Sequence, residues 1–473
     1  MLMKKENLKS KAAVIGSPIS HSLSPFIFSF IAHKENYEID YQSIEVTADS
    51  SHDFLSDLKN KKDFLGCNVT IPLKETFLNN LSYCSPEVEA LGALNVLQFV
   101  GQEIRGFNTD IIGIQKTLDS QNFSLKGKTC LILGAGGAAK ATAFVLGSSN
   151  AKEVIIFNRS GRHQQLVDKF ATLFPKVHWS AIHEMKHDTP IDLIVNSTPL
   201  GMTGKESGEE FFKSLKNLTR SPHALAFDLI YTPEETEFIR VARSLGMSTV
   251  GGLGMLIDQA LATWKIWVGD LKDEIRLHND LRDFLNGVLW LRQNKQALYL
   301  TGFMGVGKSS VGHELAAALK RLFLDTDKII QDETHLSITE IFAQKGEKAF
   351  REMEKDTIEN LAKSTQSHNS VISLGGGALM NNESFKNIQS SGLLIYLKAS
   401  AEILLERINT QAQVRPLLAN LSKDEQLKKI SELLELRKNI YEQASVCINT
   451  DTFDVKEICF EIISAIGKIQ RKD

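Results

Sequence analysis

Short apolar runs alternate along the chain with longer stretches whose apolar side chains recur at helical spacing, a pattern that predicts α/β architecture with mostly parallel sheets. Residues 12–15 read as a buried strand, the hydroxyl-rich loop GSPISHSLSP follows at 16–25, and 26–33 has helical spacing. Residues 41–46 alternate as a second strand and 51–59 are helical. A third strand is expected over 65–71, halted by Pro72, which has no N–H to give to a ladder. Further strands are expected at 153–157, 193–195 and 224–229, and GGLGMLIDQALATWKIWVG reads as a glycine turn opening an apolar helix. Residues 270–296 mix charges with Leu281, Phe284, Leu285, Val288, Leu289 and Leu291 at helical spacing, the pattern of a linking helix.

Beyond that seam a strand at 298–300 runs straight into Gly302, Gly305, Gly307, Lys308 and Ser309. This fits G-x-x-x-x-G-K-[ST], a loop whose backbone N–H groups wrap nucleotide phosphates. A helix follows over 311–319, and 323–327 ends a second strand carrying Asp325 and Asp327. Alternate residues of a strand share a face, so both acids could face the phosphate loop; the alternative is a capping pair before a helix over 328–334. Arg351 falls on a helical stretch, Gly375, Gly376 and Gly377 close a strand begun at 371, another strand spans 393–397, and Arg437 lies on a late helix. The segment QAQVRPLL carries Arg415. Nearly 300 residues precede the loop, which implies a complete unit upstream of it.

That upstream half has its own glycine turn. TCLILGAGGAAKATAFVLG sets Gly134, Gly136 and Gly137 between a β-rich run and an Ala-rich helix, where backbone can approach a pyrophosphate at a helix N-terminus. The next strand ends in Asn158, Arg159 and Ser160, and an Arg at that point suits a ribose 2′-phosphate. Ser22, Ser24, Thr70 and Lys74 follow strand ends, where α/β sheets gather ligands; Asn95 and Asp110 also follow apolar runs. Gln259 is a polar group on an apolar helix, read as a packing amide or a ligand contact.

Composition narrows the partners more than the fold. A chain of 473 residues with a formal net charge of −3 and no long run of like charge favours small molecules over nucleic acid or anionic membrane. The 5 cysteines are scattered without metal spacing or C-x-x-C, which fits a reducing, cytoplasmic setting. No 18-residue apolar stretch suggests a membrane span.

In order, PISHSLSP, NVTIPLK, GALNV, GFNTD, GAGGAAKA, NRS, NSTPLGM and GLGMLIDQ make residues 11 to about 280 resemble shikimate dehydrogenases. GFMGVGKSS, DTD, GEKAFREME, SLGGG, VRPLL and RKNIYEQA make residues 297 to about 467 resemble shikimate kinases. The resemblance implies an α/β substrate domain over 1–110 completed by 252–280, a Rossmann-type NADP domain over 111–251, and a P-loop kinase domain with a parallel sheet over 297–473. The linking helix is expected over 281–296.

Carried over by matched position, Lys74 and Asp110 become the catalytic pair, and Ser22, Ser24, Thr70, Asn95, Tyr231 and Gln259 bind substrate. Gly134, Ala135, Gly136, Gly137, Ala138, Asn158, Arg159, Ser160, Gly252 and Met255 bind NADP(H). In the kinase half, Gly302, Gly305, Val306, Gly307, Lys308, Ser309 and Ser310 bind ATP; Ser309 and Asp325 hold Mg2+. Asp327, Arg351, Gly375, Gly376, Gly377 and Arg437 bind shikimate, with Asp327, Lys308 and Arg415 catalytic and Arg407 near the adenine.

The implied function is reduction of 3-dehydroshikimate by NADPH followed by phosphorylation of shikimate by ATP. Rival readings are an NAD-dependent quinate/shikimate dehydrogenase fused to a kinase, and a non-catalytic shikimate sensor. A sensor would be expected to lack one of Lys74, Asp110, Lys308 or Asp327, and all are present. Ser17, Phe28 and Asn439 depart from residues common in the two families, and residues 160–163 are altered where the dehydrogenases have a second basic position.

Overall fold

A computed structural model describes residues 10–58, 61, 63–158, 163–181, 190–365, 367–410, 418 and 421–470. The chain divides into two compact units, 1–282 and 283–473.

The first unit contains two sheets of different construction. The N-terminal sheet comprises β1 (Ser10–Gly16), β2 (Ile39–Glu45), β3 (Phe64–Val69), β4 (Tyr83–Cys84), β5 (Val96–Val100) and β6 (Glu103–Phe107), in the order β2-β1-β3-β5-β6-β4. Helical crossovers make β2-β1 and β1-β3 parallel. β4-β6 is parallel as well, so the sheet is mostly parallel as expected, with β3-β5 and β5-β6 as antiparallel exceptions. For β5-β6 the cause is the tight turn at Gly101, which has φ +61° and leaves no room for a crossover helix between them. β3 stops at Val69, two residues short of the expected end, and Thr70 begins the turn through Pro72.

The other sheet of this unit is fully parallel: β7 (Thr129–Leu133), β8 (Glu153–Phe157), β9 (His178–Ala181), β10 (Ile191–Asn196), β11 (Arg220–Asp228) and β12 (Ser248–Val250), ordered β12-β11-β10-β7-β8-β9. Its inner strands carry apolar runs at their centres because helices cover both faces, giving separate buried clusters on either side. The order reverses between β7 and β10, the crevice where doubly wound sheets bind ligands.

The second unit has one parallel sheet, β14-β15-β13-β16-β17, with β13 (Ala297–Thr301), β14 (Leu322–Asp325), β15 (Ser370–Ser373), β16 (Gly392–Lys398) and β17 (Val446–Asn449). The central β13 is buried at every position and delivers the chain to the phosphate loop. The seam holds a helix, but it runs Glu274–Gln293 rather than 281–296, and the division between units falls within it. Its early start has a local cause: Glu274 is bonded by Lys116 and by Lys265, each at 2.5 Å. In the second unit Phe284 packs edge-on against Phe460, and the absent side chain of Gly287 lets the helix lie on the Ile463 backbone.

Two candidate active sites

Lys74 follows the turn after β3, and Asp110 opens the Asp110–Ser120 helix after β6. Their side chains meet, Lys74 Nζ lying 2.5 Å from Asp110 Oδ2 with both largely buried. Asp110 Oδ1 accepts a hydrogen bond from Asn95 Nδ2 at 2.8 Å, and the Asp110 N–H is held by Asn108 Oδ1 at 3.1 Å. The Asn95 amide is itself oriented by the Thr109 N–H, which donates to its Oδ1 at 2.7 Å. Gln259, on the Leu253–Trp267 helix, brings Oε1 to 3.4 Å from Asn95 Nδ2. Residues distant in sequence thus converge on one buried ion pair.

Ser24 is buried at the start of the Ser24–Lys34 helix, and its N–H is held by Ser22 Oγ at 3.2 Å. Thr70 and Tyr231 are half-buried just beyond the ends of β3 and β11.

Gly134 leaves β7 at φ +120°, and a Cβ there would meet Ser197 Oγ at 2.5 Å, so only glycine allows this passage at the sheet's reversal point. Ala135, Gly136 and Ala138 line the turn into the Gly137–Ser148 helix, with Gly136 exposed as its N-cap. A Cβ on Gly137 would stand 3.1 Å from Lys74 Cδ, so the start of this helix adjoins Lys74. Lys140, one turn on, pairs with Glu75 at 2.6 Å. Asn158 is half-buried after β8. Arg159 and Ser160 lie outside the described residues. Gly252 caps the Leu253–Trp267 helix, and Met255 is buried in the core against Gly113.

In the second unit the loop Gly302–Gly307 turns sharply into the Lys308–Leu319 helix. Gly302 has φ +145° and lies against the Leu397 carbonyl. Val306 is buried beneath the loop, Gly305 and Gly307 have φ +79° and +100°, and Ser310 is exposed. Lys308 Nζ curls back to the carbonyls of Gly302 (2.9 Å) and Phe303 (3.2 Å). Ser309 Oγ donates to Asp325 Oδ2 at 3.1 Å.

At 325 and 327 the capping alternative holds. β14 ends at Asp325, whose Oδ1 caps the Thr326–Thr334 helix by accepting the Asp327 and Lys328 N–H groups at 3.1 and 3.3 Å. Asp327 therefore sits in a helical turn, and what brings it toward the glycines is helix direction rather than strand alternation.

Arg351 lies on the Ile338–Lys363 helix, kinked at Gly346, and is held by Glu354 (2.8 Å) and Glu347 (3.2 Å). Burial works to lower the Arg351 pKa, but the two carboxylates outweigh it and raise it. Burial pushes Glu354 up, with Asp327 adding repulsion, while Arg351 and Arg437 pull the other way. Gly375 leaves room for the Glu354 and Asp327 carboxylates, and Gly377 for the Arg351 guanidinium. The Gly376 carbonyl accepts from Arg437 Nη1 (2.8 Å) and Tyr441 Oη (2.7 Å). Arg437 also stands over the Phe303 ring, 5.6 Å from its centroid, which places it beside the phosphate loop. Arg407 donates to Thr450 Oγ1 and O at 3.0 and 2.6 Å. Arg415 lies outside the described residues.

Glu354, Tyr441 and Thr109 were not singled out from sequence. Glu354 had a signal: it follows Arg351 by three on a helix, the spacing that pairs opposite charges. Tyr441 follows Arg437 by one turn, and Thr109 precedes Asp110.

These features define a dinucleotide-type dehydrogenase unit followed by a P-loop kinase unit. The family model for the shikimate dehydrogenase substrate binding domain matches residues 14–97, that for shikimate / quinate 5-dehydrogenase matches 117–216, and that for shikimate kinase matches 304–467. Shikimate dehydrogenase (NADP(+)) of Bartonella henselae is 35% identical over 274 residues, 57% of this chain and 92% of the relative. Shikimate 5-dehydrogenase of Listeria monocytogenes, solved with shikimate and NAD, is 26% identical with a TM-score of 0.52, covering 59% of this chain and 98% of that one. A shikimate dehydrogenase solved with NADP+ is 28% identical with a TM-score of 0.51, covering 58% and 95%. The chain belongs to the shikimate dehydrogenase family and carries a shikimate kinase domain, which makes it a bifunctional enzyme of the shikimate pathway. Among the described residues, no helix is long and apolar enough to cross a membrane.

Proposed function

We propose that the first unit reduces 3-dehydroshikimate to shikimate with NADPH and that the second phosphorylates the 3-hydroxyl of shikimate with ATP. The observation that carries the reading is the Lys74–Asp110 pair, 2.5 Å apart beside the first turn of the dinucleotide helix. NADPH, when bound, supplies the hydride. Reduction of a ketone builds negative charge on its oxygen, and the Lys74 ammonium stabilises that charge while the Lys74–Asp110 pair supplies the proton. Asp110 keeps the ammonium charged and aimed.

Ser22 and Ser24 hold the substrate carboxylate; Thr70, Asn95 and Gln259 bind its hydroxyls, and Tyr231 lines the same cleft. Gly134 to Ala138 cradle the pyrophosphate, Asn158, Arg159 and Ser160 take the 2′-phosphate, and Gly252 and Met255 border the cofactor. The relative named for NADP(+) supports that cofactor.

In the second unit, the loop residues Gly302 to Ser310 wrap the ATP phosphates. Lys308 leaves its two carbonyl partners to meet the transferring phosphoryl group, joined by Arg415. The Ser309 hydroxyl and Asp325 carboxylate, 3.1 Å apart, form an oxygen donor set that suits Mg2+. Mg2+, when bound, neutralises phosphate charge. Asp327 accepts the proton of the attacking hydroxyl, and Arg351 and Arg437 hold the carboxylate of shikimate against Gly375 to Gly377.

The test is to follow oxidation of NADPH or NADH with 3-dehydroshikimate, reduction of NAD with quinate, and ADP release on adding shikimate and ATP. NADPH oxidation and shikimate-dependent ADP release are expected. A dominant NAD and quinate activity, or ADP release indifferent to shikimate, contradicts the assignment.

A further inference from the structure

Behind the catalytic pair of the first unit lies a chain of polar side chains in which Thr263, Asn68, Thr109 and Tyr41 have no part in the reaction as proposed. Thr263 stands one helical turn past Gln259 and is fully buried. Its single proton has a fixed destination, the Gln259 carbonyl at 2.9 Å, as for any helical threonine that bonds back one turn. The lone pairs of Thr263 Oγ1 are therefore acceptors. Asn68 Nδ2 reaches them at 3.3 Å, and the Thr109 hydroxyl at 3.2 Å.

The directions then propagate. With the Thr263 proton committed, Thr109 is the donor of that pair, and its hydroxyl also lies 3.3 Å from Asn95 Oδ1, already taken by the Thr109 N–H, and 3.4 Å from Gln259 Oε1. Thr109 Oγ1 is left to accept from Asn95 Nδ2 at 3.0 Å, while the Thr109 N–H fixes Asn95 Oδ1 at 2.7 Å. The Asn95 NH2 must then face Asp110 Oδ1, which it meets at 2.8 Å. From the other end, Tyr41 Oη donates to Asn68 Oδ1 at 2.8 Å, turning the Asn68 NH2 toward Thr263, and its ring stacks on Phe28 with centroids 4.4 Å apart. Each donor in the chain meets an acceptor, and Thr263 is where strand β3, the helix carrying Gln259 and the residue before Asp110 join.

The geometry points to Thr263 as a positioning residue for the reduction: its hydroxyl sets the hydrogen-bond direction that holds the Asn95 amide, and through it the Asp110 carboxylate, beside Lys74. This inference rests on the dehydrogenase reading of the first unit. Removing the hydroxyl leaves Asn68 Nδ2 without its acceptor and frees the Thr109 proton to turn toward Asn95, loosening the amide that faces Asp110.

The full chain is assayed for 3-dehydroshikimate reduction as Thr263→Val, which keeps the shape, and Thr263→Ser, which keeps the hydroxyl. Both are measured in the parent and in an Asn95→Ala background, with the kinase rate of the same chain as the measure of intact protein. Thr263→Val is expected to lower kcat/KM about tenfold, the worth of one buried hydrogen bond. Thr263→Ser should stay within about twofold of the parent on the same scale. Because Thr263 acts through Asn95, Thr263→Val should add little in the Asn95→Ala background. An equal loss in both backgrounds, no loss in the parent, or a Ser variant no better than Val overturns the inference. A parent chain that reduces no 3-dehydroshikimate overturns the dehydrogenase reading and this inference with it.

Discussion

In the first unit, Lys74 already touches Asp110, and Asp110 is backed by Asn95, Thr109 and Asn108 on rigid strand ends and helix starts. In the second unit the cations rest on groups a ligand would have to replace or share: Lys308 on two loop carbonyls, Arg437 on the Gly376 carbonyl, Arg351 on two glutamates. The dehydrogenase site is organised around an internal ion pair, so its charge arrangement is complete before substrate arrives. In the second unit Lys308 and Arg437 rest on backbone oxygens, which cost little to leave because a carbonyl is a weaker partner than a phosphate, while Arg351 is ion-paired as Lys74 is.

The largest expected effects come from removing the two lysines. Lys74→Ala should lower the dehydrogenase kcat about 10³-fold, as loss of a charge-stabilising and proton-transferring group does, and leave the kinase rate intact. Lys308→Ala should do the reverse, read as ADP release. A comparable loss of both activities from either change breaks the separation of the two sites.

Next is a stability effect confined to the first unit. Burial raises the Asp228 carboxyl to about 6, against the pull of hydrogen bonds from Thr236, the Ile230 N–H and Asn196. A carboxyl with a raised folded pKa binds its proton more tightly folded than unfolded, so its contribution to stability falls as pH rises from about 4 to about 6. The full swing is at most about 3 kcal/mol. Melting the parent beside Asp228→Asn should show the parent losing ground by neutral pH; a constant difference in Tm across that window contradicts it.

Glu354→Gln sharpens the kinase side. Its Oε2 fixes Arg351, so the change should raise KM for shikimate about tenfold, the worth of one charge-assisted hydrogen bond, more than it lowers kcat. A pure kcat effect points away from carboxylate binding by Arg351.

The smallest effect is expected at Glu75–Lys140, where the turn bearing Lys74 is tied to the dinucleotide helix. With Glu75 more than half exposed, the pair is worth at most about 1 kcal/mol. Glu75→Lys or Lys140→Glu alone should reduce kcat/KM for NADPH by about threefold on that scale, and the double exchange should recover most of it. Failure of the exchange to recover activity removes the tie from the account.

Much of this was legible from the chain. The strand ends bearing Lys74 and the phosphate loop were readable because an apolar run ending in glycine or proline marks both the strand and its exit. β4 is hard to see because it has only two residues, and the β5–β6 hairpin because its strands are short and mix apolar with polar residues, without a helical segment between them. Sequence leaves Asp327 between a strand end and a helix start because a capping aspartate and a strand aspartate have the same spelling in DTD; the Asp325 cap decides for the helix. Thr263 was invisible for a different reason: its partners Asn68 and Thr109 lie 195 and 154 residues away, and only the fold brings them together.

The measurement that bears most directly on the central claim is the stoichiometry of the unmodified chain given 3-dehydroshikimate, NADPH, ATP and Mg2+. Product formation is followed by mass spectrometry beside the NADPH and ADP signals. The account expects one NADP+ and one ADP for each phosphorylated product, with shikimate as the transient between them. NADPH oxidation that ends in unphosphorylated shikimate, or ADP formed without prior reduction, would contradict it.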